Sequence, residues 1–198
     1  METRLSETAL KVDTVKSKTV DLEDRSRRSN LLFFNFEEEA IDVTEDCDKK
    51  VEDLIMSLNI FNGEDIWIDR AHRLGKRRED ATKPRPIIVK FSYYKQKEKI
   101  IKSGAKFKNC RINVSEDYSK ETLNVHSQLW KYGKEAKDLL YTDNTKGIKH
   151  CKIAYRRLIL TYTTNKNNIN ATTFTRSFSL DYIQKNARWY VPPIRHSS

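Results

Sequence analysis

Two short apolar runs, LLFFNF at 31–36 and PIIVKF at 86–91, constrain the fold more than any other feature of this chain. Each is too short for a stable lone helix and rich in aromatic or β-branched residues, which predicts a buried strand. Buried strands need a sheet, and the intervening stretches supply one. An acidic turn at 37–39 leads into a helix over about 43–58. Asp42 or Thr44 caps it, and Cys47, Val51, Leu54, Ile55 and Leu58 form one face. Asn62-Gly63 marks a turn, 66–74 reads as a second strand, and 75–83 as a charged loop. Pro84 and Pro86 stand at the start of the third strand, where a missing donor is tolerated. A basic helix over about 94–105 is expected to bury Ile100, Ile101 and Ala105, and a short strand at 111–114 closes the series. The order β-α-β-β-α-β predicts a ferredoxin-like layer, two helices on one face of a four-stranded antiparallel sheet. Strand alternation sends Leu31, Phe33, Ile87, Val89 and Phe91 inward. Leu32, Phe34, Ile88 and Lys90 remain on the open face.

The flanks carry helical periods. Leu5, Thr8, Val12, Val15, Thr19 and Leu22 alternate at spacings of 3 and 4, the seam of a short coiled coil, with Leu5, Val12, Val15 and Leu22 as its apolar contacts. The segment 24–30 is expected to break it. Beyond about 120, Val125, Leu129, Tyr132, Ala136 and Leu139 define an amphipathic helix. A hairpin over 152–155 and 158–162 is expected to turn at Arg156-Arg157, followed by a polar loop at 165–170 and an edge strand or helix at 174–183. The fold class is therefore α+β in four parts. These are a short coiled-coil helix at 1–28, a ferredoxin-like domain at 29–117, a small α/β C-terminal domain at 118–190 and a loose tail at 191–198.

Charge says what such a chain meets. Residues 1–69 hold 9 Lys/Arg against 18 Asp/Glu, and residues 70–198 hold 29 against 10. The change of sign falls at a compact run of Arg70, Arg73, Lys76, Arg77, Arg78, Lys83, Arg85 and Lys90. A basic field of that density is the footprint of a polyanion, because neutralising phosphates releases condensed counterions. The N-terminus lacks the apolar core of a secretory signal, and no apolar run approaches the roughly 20 residues that span a bilayer. The three cysteines are far apart and form no C-x-x-C pair, the pattern of reduced thiols rather than of a disulfide framework or a zinc site. No cofactor is called for. Trp67 and Trp130 read as core, and His72 as structural.

A ferredoxin-like sheet with an open face and a basic loop beside it suggests an RNA-recognition motif. The blocks LEDRSRRSNLLFFNF, IDRAHRLG, KPRPIIVKF and INVSEDYSKETL, the last followed by LW and a basic helix, occur here in order. Together they resemble the first-open-reading-frame protein of LINE-type retrotransposons, the family catalogued as transposase 22, over roughly residues 22–162. The resemblance implies a trimerising coil, a central RNA-recognition-motif domain and a small C-terminal domain. Together these coat the element's transcript as a ribonucleoprotein and act as a nucleic-acid chaperone without enzymatic activity. The coil here is shorter than the family's. His126 and Ser127 stand where its C-terminal helix often carries arginine, which removes one expected phosphate contact.

The residues point to nucleic acid, and the resemblance implies single-stranded RNA as the partner, with single-stranded DNA as a second candidate. The expected contacts are Arg70, Arg73, Arg77, Arg78, Arg85 and Lys90, with Phe34 as the one stacking aromatic on the sheet. Lys149, Lys152, Arg156 and Arg157 are expected to form the facing wall of a basic cleft between the two domains, with Tyr155 a stacking candidate at the hairpin tip. The location implied is a cytoplasmic ribonucleoprotein, with RSRR at 25–28 compatible with a nuclear one as well. The competing reading is a non-catalytic coiled-coil interaction module for which RNA is incidental. A nuclease or transposase would need clustered carboxylates to hold Mg²⁺. The acidic residues instead concentrate in the N-terminal third, where they read as solvated.

Overall fold

The computed structural model describes residues 2–40, 43–78, 81–141, 147–163, 173–186 and 189. The polar loop at 165–170 and the tail at 191–198 lie outside them. The chain is mixed α+β with antiparallel sheets, and divides into two compact units, Met1–Ser119 and Lys120–Ser198.

The first unit opens with α1 (Glu2–Arg27). Its seam residues Val12, Val15 and Leu22 are 58%, 63% and 66% exposed, while the side chain of Leu5 lies outside the described residues. Another side of its last two turns is occupied: Val20 and Asp24 are buried. Asp24 accepts from the Ser119 backbone N–H at 2.7 Å, and Arg27 donates to Asp117 at 3.1 Å and to Glu23 at 2.8 Å. The docked face and the seam lie about 120° apart around the helix. These contacts carry the helix to Arg27, past the break expected from residue 24.

Then come β1 (Asn30–Phe34), α2 (Cys47–Ser57), β2 (Ile68–Arg73), β3 (Ile87–Phe91), α3 (Tyr94–Lys102), α4 (Gly104–Lys108) and β4 (Asn113–Glu116). The strands pair antiparallel in the order β2-β3-β1-β4. Leu31, Phe33, Ile87, Val89 and Phe91 are buried, as alternation requires. They pack against Cys47, Val51 and Ile55 of α2 and Ile100 of α3. Three boundaries move for physical reasons. Asp46, rather than Asp42 or Thr44, caps α2, because its carboxylate reaches the Lys49 N–H at 3.0 Å. The helix expected over 94–105 breaks at Ser103-Gly104, where glycine is a poor helix former. That break swings Phe107 into the core, 6.0 Å from the Phe33 ring, and leaves Ala105 exposed. The last strand starts two residues late, because Arg111 adopts a left-handed φ of 58°.

In the second unit α5 (Lys120–Tyr141) lies on an antiparallel sheet of β5 (Gly147–Ala154), β6 (Arg157–Thr163) and β7 (Thr173–Ser179), followed by α6 (Leu180–Lys185). Segment 174–183 is thus an edge strand and a helix. Leu129, Ala136, Leu158, Leu160, Tyr162, Phe178, Ile183 and Trp189 form its core. The hairpin turns one residue earlier than expected, at Tyr155-Arg156: Ala154 pairs with Arg157, and Tyr155 takes a left-handed φ of 48°. Gly133 sets the closeness of α5 to the sheet. A Cβ there would meet Cys151 Sγ at 2.6 Å and Leu158 Cδ1 at 3.1 Å. Leu139 and Trp130, expected inside, are exposed.

Candidate nucleic-acid interface

Register decides which charges reach the open face of the first sheet. Residues directly opposite in a ladder share a face. Arg70 lies opposite Lys90, and Lys90 opposite Asn30. One step along, His72, Ile88, Leu32 and Ser115 form a row across all four strands, with Phe34 beside Asn113 in the next. Arg70 and His72 are exposed; Lys90, Ile88, Leu32 and Phe34 are half-buried. Lys90 is paired with Asp69 at 3.0 Å. At the corner, Asn30 donates to Asp117 at 2.9 Å, while its side-chain oxygen Oδ1 has no partner among the described residues. His72, read as structural, belongs to this open face; its even spacing from Arg70 carried that signal.

Arg73 belongs elsewhere. It lies opposite Ile87 on the inner face, and its side chain is 5% exposed. Its guanidinium forks onto Glu45 at 2.6 and 2.9 Å and donates to the Phe36 and Glu37 carbonyls at 2.9 and 2.7 Å. Such a group is a structural clamp, which corrects its place among the expected phosphate contacts. Arg85 is similarly committed. It holds Glu38 at 2.8 and 3.1 Å through its guanidinium and at 2.6 Å through its backbone N–H, and donates to the Gly75 carbonyl at 3.0 Å. Lys50 completes the network with Glu39 and Glu45, both at 2.7 Å. The acidic segment, read as solvated, is the internal counterion of Arg73 and Arg85. Arg77 keeps a looser tie, donating to the Glu39 carbonyl at 2.8 Å with Glu38 at 3.8 Å. Arg77, Arg78, Lys76 and Lys83 are exposed on the β2–β3 loop.

The network has an acid signature. Hydrogen bonding from Arg85 holds the Glu38 carboxyl down at about 2, and hydrogen bonding from Arg73 does the same for Glu45, against an ordinary value of 4.5. Both are depressed in the folded state, so the unfolded chain binds more protons as pH falls. Their stabilisation is complete above about pH 5 and is lost on descent toward pH 2, roughly 2–3 kcal/mol each after allowance for solvent screening. Urea unfolding at fixed pH, followed by far-ultraviolet circular dichroism, should show a plateau from 7 to 5 and then a steep fall. An unchanged unfolding free energy down to pH 3 would rule the clamps out.

In the second unit the ladders place Lys152 and Arg157 on the sheet face away from α5, opposite Ile159 and Ala154 respectively, while Leu158 and Leu160 face the helix. Lys152 and Arg157 are exposed, and Arg157 donates to Ser177 Oγ at 2.6 Å and to its carbonyl at 3.2 Å. Arg156 is half-buried in the turn beside exposed Tyr155, and the side chain of Lys149 lies outside the described residues. Trp67 is exposed rather than core, at the start of β2. All three cysteines are free thiols, with Cys47 buried and Cys110 exposed. Among the described residues no group of three or more His, Cys, Asp and Glu is placed to hold a metal ion, and no helix is long and apolar enough to cross a membrane.

In class, then, the chain is an α+β protein whose first antiparallel sheet presents a mixed basic and apolar face beside a basic loop. No protein-family model matches it, and no curated protein matches it.

Proposed function

We propose that this chain is a sequence-tolerant single-stranded RNA-binding protein of the kind encoded by the first open reading frame of LINE-type retrotransposons. On this reading the first unit is an RNA-recognition motif, and the protein coats a transcript and acts as a nucleic-acid chaperone without chemistry of its own. The observation that carries it is the open sheet face, where Arg70, His72 and Lys90 stand among Phe34, Leu32 and Ile88 next to the exposed Arg77 and Arg78. Cations beside apolar and aromatic faces suit a ligand with phosphates and unstacked bases. The four sequence blocks in order supply the retrotransposon part.

Oligomerisation fits the same reading. An apolar seam exposed on α1, away from the face that docks on its own sheet, suits association between copies, a homotrimer in the resembled family. That seam alone also supports the competing reading, a coiled-coil interaction module with incidental RNA binding.

Fluorescence anisotropy on labelled single-stranded RNA across a salt series separates the two. At about −0.7 per phosphate contact, four to six contacts give a log–log slope near −3 to −4. The Arg77→Ala/Arg78→Ala double variant should be shallower by about 1.4 and equally stable, with similar behaviour on unrelated sequences. Weak wild-type binding even at low salt would leave the interaction module in front.

A further inference from the structure

Tryptophan is among the most costly side chains to leave in water, and Trp67 is 56% exposed. Its backbone is nevertheless fixed: its N–H donates to Gln96 Oε1 at 3.1 Å, and its carbonyl accepts from the Ser92 N–H at 2.9 Å. Ile68 lies opposite Phe91 on the inner face, so the preceding Trp67, facing Ser92, continues the open face beyond Arg70 and Lys90. Tyr93, next to Ser92, is 57% exposed at the start of α3. Among the described residues no ring or cation packs on either side chain. The neighbouring Tyr94 ring, by contrast, already carries the Arg28 guanidinium and the Lys97 ammonium, each 5.5 Å from its centroid.

We propose that Trp67, flanked by Tyr93, is a base-stacking position for single-stranded nucleic acid at one end of the open face. The inference rests on the RNA-binding reading and extends it. Charge complementarity chooses the occupant: Arg28, Arg70 and Lys90 border the patch against the carboxylate of Asp69, which Lys90 holds at 3.0 Å, and the net positive edge suits an anionic backbone. Indole and phenol offer a π-face that any base can use, which keeps the site sequence-tolerant. Phe34 lies on the same face two strands away, about 20 Å along the strand axis at 3.3 Å per residue. A single strand crossing the sheet diagonally would therefore find an aromatic ring at each end and cations between them.

The test uses the full chain and two labelled strands of equal length and charge, oligouridylate and an abasic deoxyribose strand, in anisotropy titrations at several salt concentrations. Trp67→Ala should weaken oligouridylate binding roughly 5- to 100-fold. The salt slope should stay the same, and binding of the abasic strand should change little. Trp67→Phe, which keeps a ring, should recover most of the loss and covers the case in which the alanine variant folds poorly. Wild-type affinity for oligouridylate from Trp67→Ala, or an equal loss on the abasic strand, overturns the stacking site while leaving the RNA reading intact. The patch would then point to a protein partner. Failure of the wild-type chain to bind either strand at low salt removes the RNA reading, and this inference with it.

Discussion

Arg73→Ala should destabilise the first unit by about 2–3 kcal/mol, because Glu45 is left with Lys50 as its one cation and the Phe36 and Glu37 carbonyls lose their donor. The neighbouring change Arg70→Ala gives the contrast. Arg70 is exposed on the other face of the same strand, so its removal should move stability by no more than about 0.5 kcal/mol and make the salt dependence of RNA binding shallower. On the RNA-binding proposal, two arginines three residues apart thus separate into a structural and a ligand-facing role in one pair of urea titrations and one pair of binding curves. An Arg73→Ala protein as stable as wild type but poor in RNA binding would return Arg73 to the interface.

The second large effect lies in the other unit. Gly133→Val should cost about 3 kcal/mol, since its methyls would occupy the space of Cys151 Sγ and Leu158 Cδ1. Gly133→Ala is the finer probe. Alanine favours helix by about 1 kcal/mol over glycine, but its Cβ would sit 2.6 Å from Cys151 Sγ. We expect a net loss of about 1–2 kcal/mol, most of it recovered on adding Cys151→Ala, which clears the nearer atom. The buried Trp189 reports unfolding of this unit by fluorescence. Additive costs in the double variant would mean that α5 does not lie that close to β5.

What the chain disclosed by its pattern was the sheet. Alternation in LLFFNF and IIVKF sorted Leu31–Phe34 of β1 and the side chains of β3 onto the correct face. The same rule applied to 70–73 would have sent Arg73 inward and His72 outward. Charge density carries no information about direction, which alternation alone supplies. Other departures could not be read locally. The Glu38–Arg85 and Glu45–Arg73 pairs join residues 47 and 28 positions apart, so nothing in either segment alone distinguishes a clamp from solvated charge. Residue type alone places Trp67 and Trp130 in the core, yet type gives a tendency while exposure depends on what packs opposite. Trp189, which does enter the core beside Phe178 at 5.1 Å, sits in a stretch with no period to announce it.

Only Arg28 and Ser29 separate α1 from β1, and the Ser29 carbonyl accepts from the Phe91 N–H at 3.1 Å. With Asp24 held to Ser119 and Arg27 to Asp117 on the flanks, the joint has no swivel. Mechanically, the helix is a stiff handle on the sheet, so a torque applied along it reaches the strands instead of dissipating in a linker. In any assembly gathered along the exposed seam, the sheets would be spokes at a set angle to the hub. Re-aiming one spoke would require prising out the buried Asp24 carboxylate.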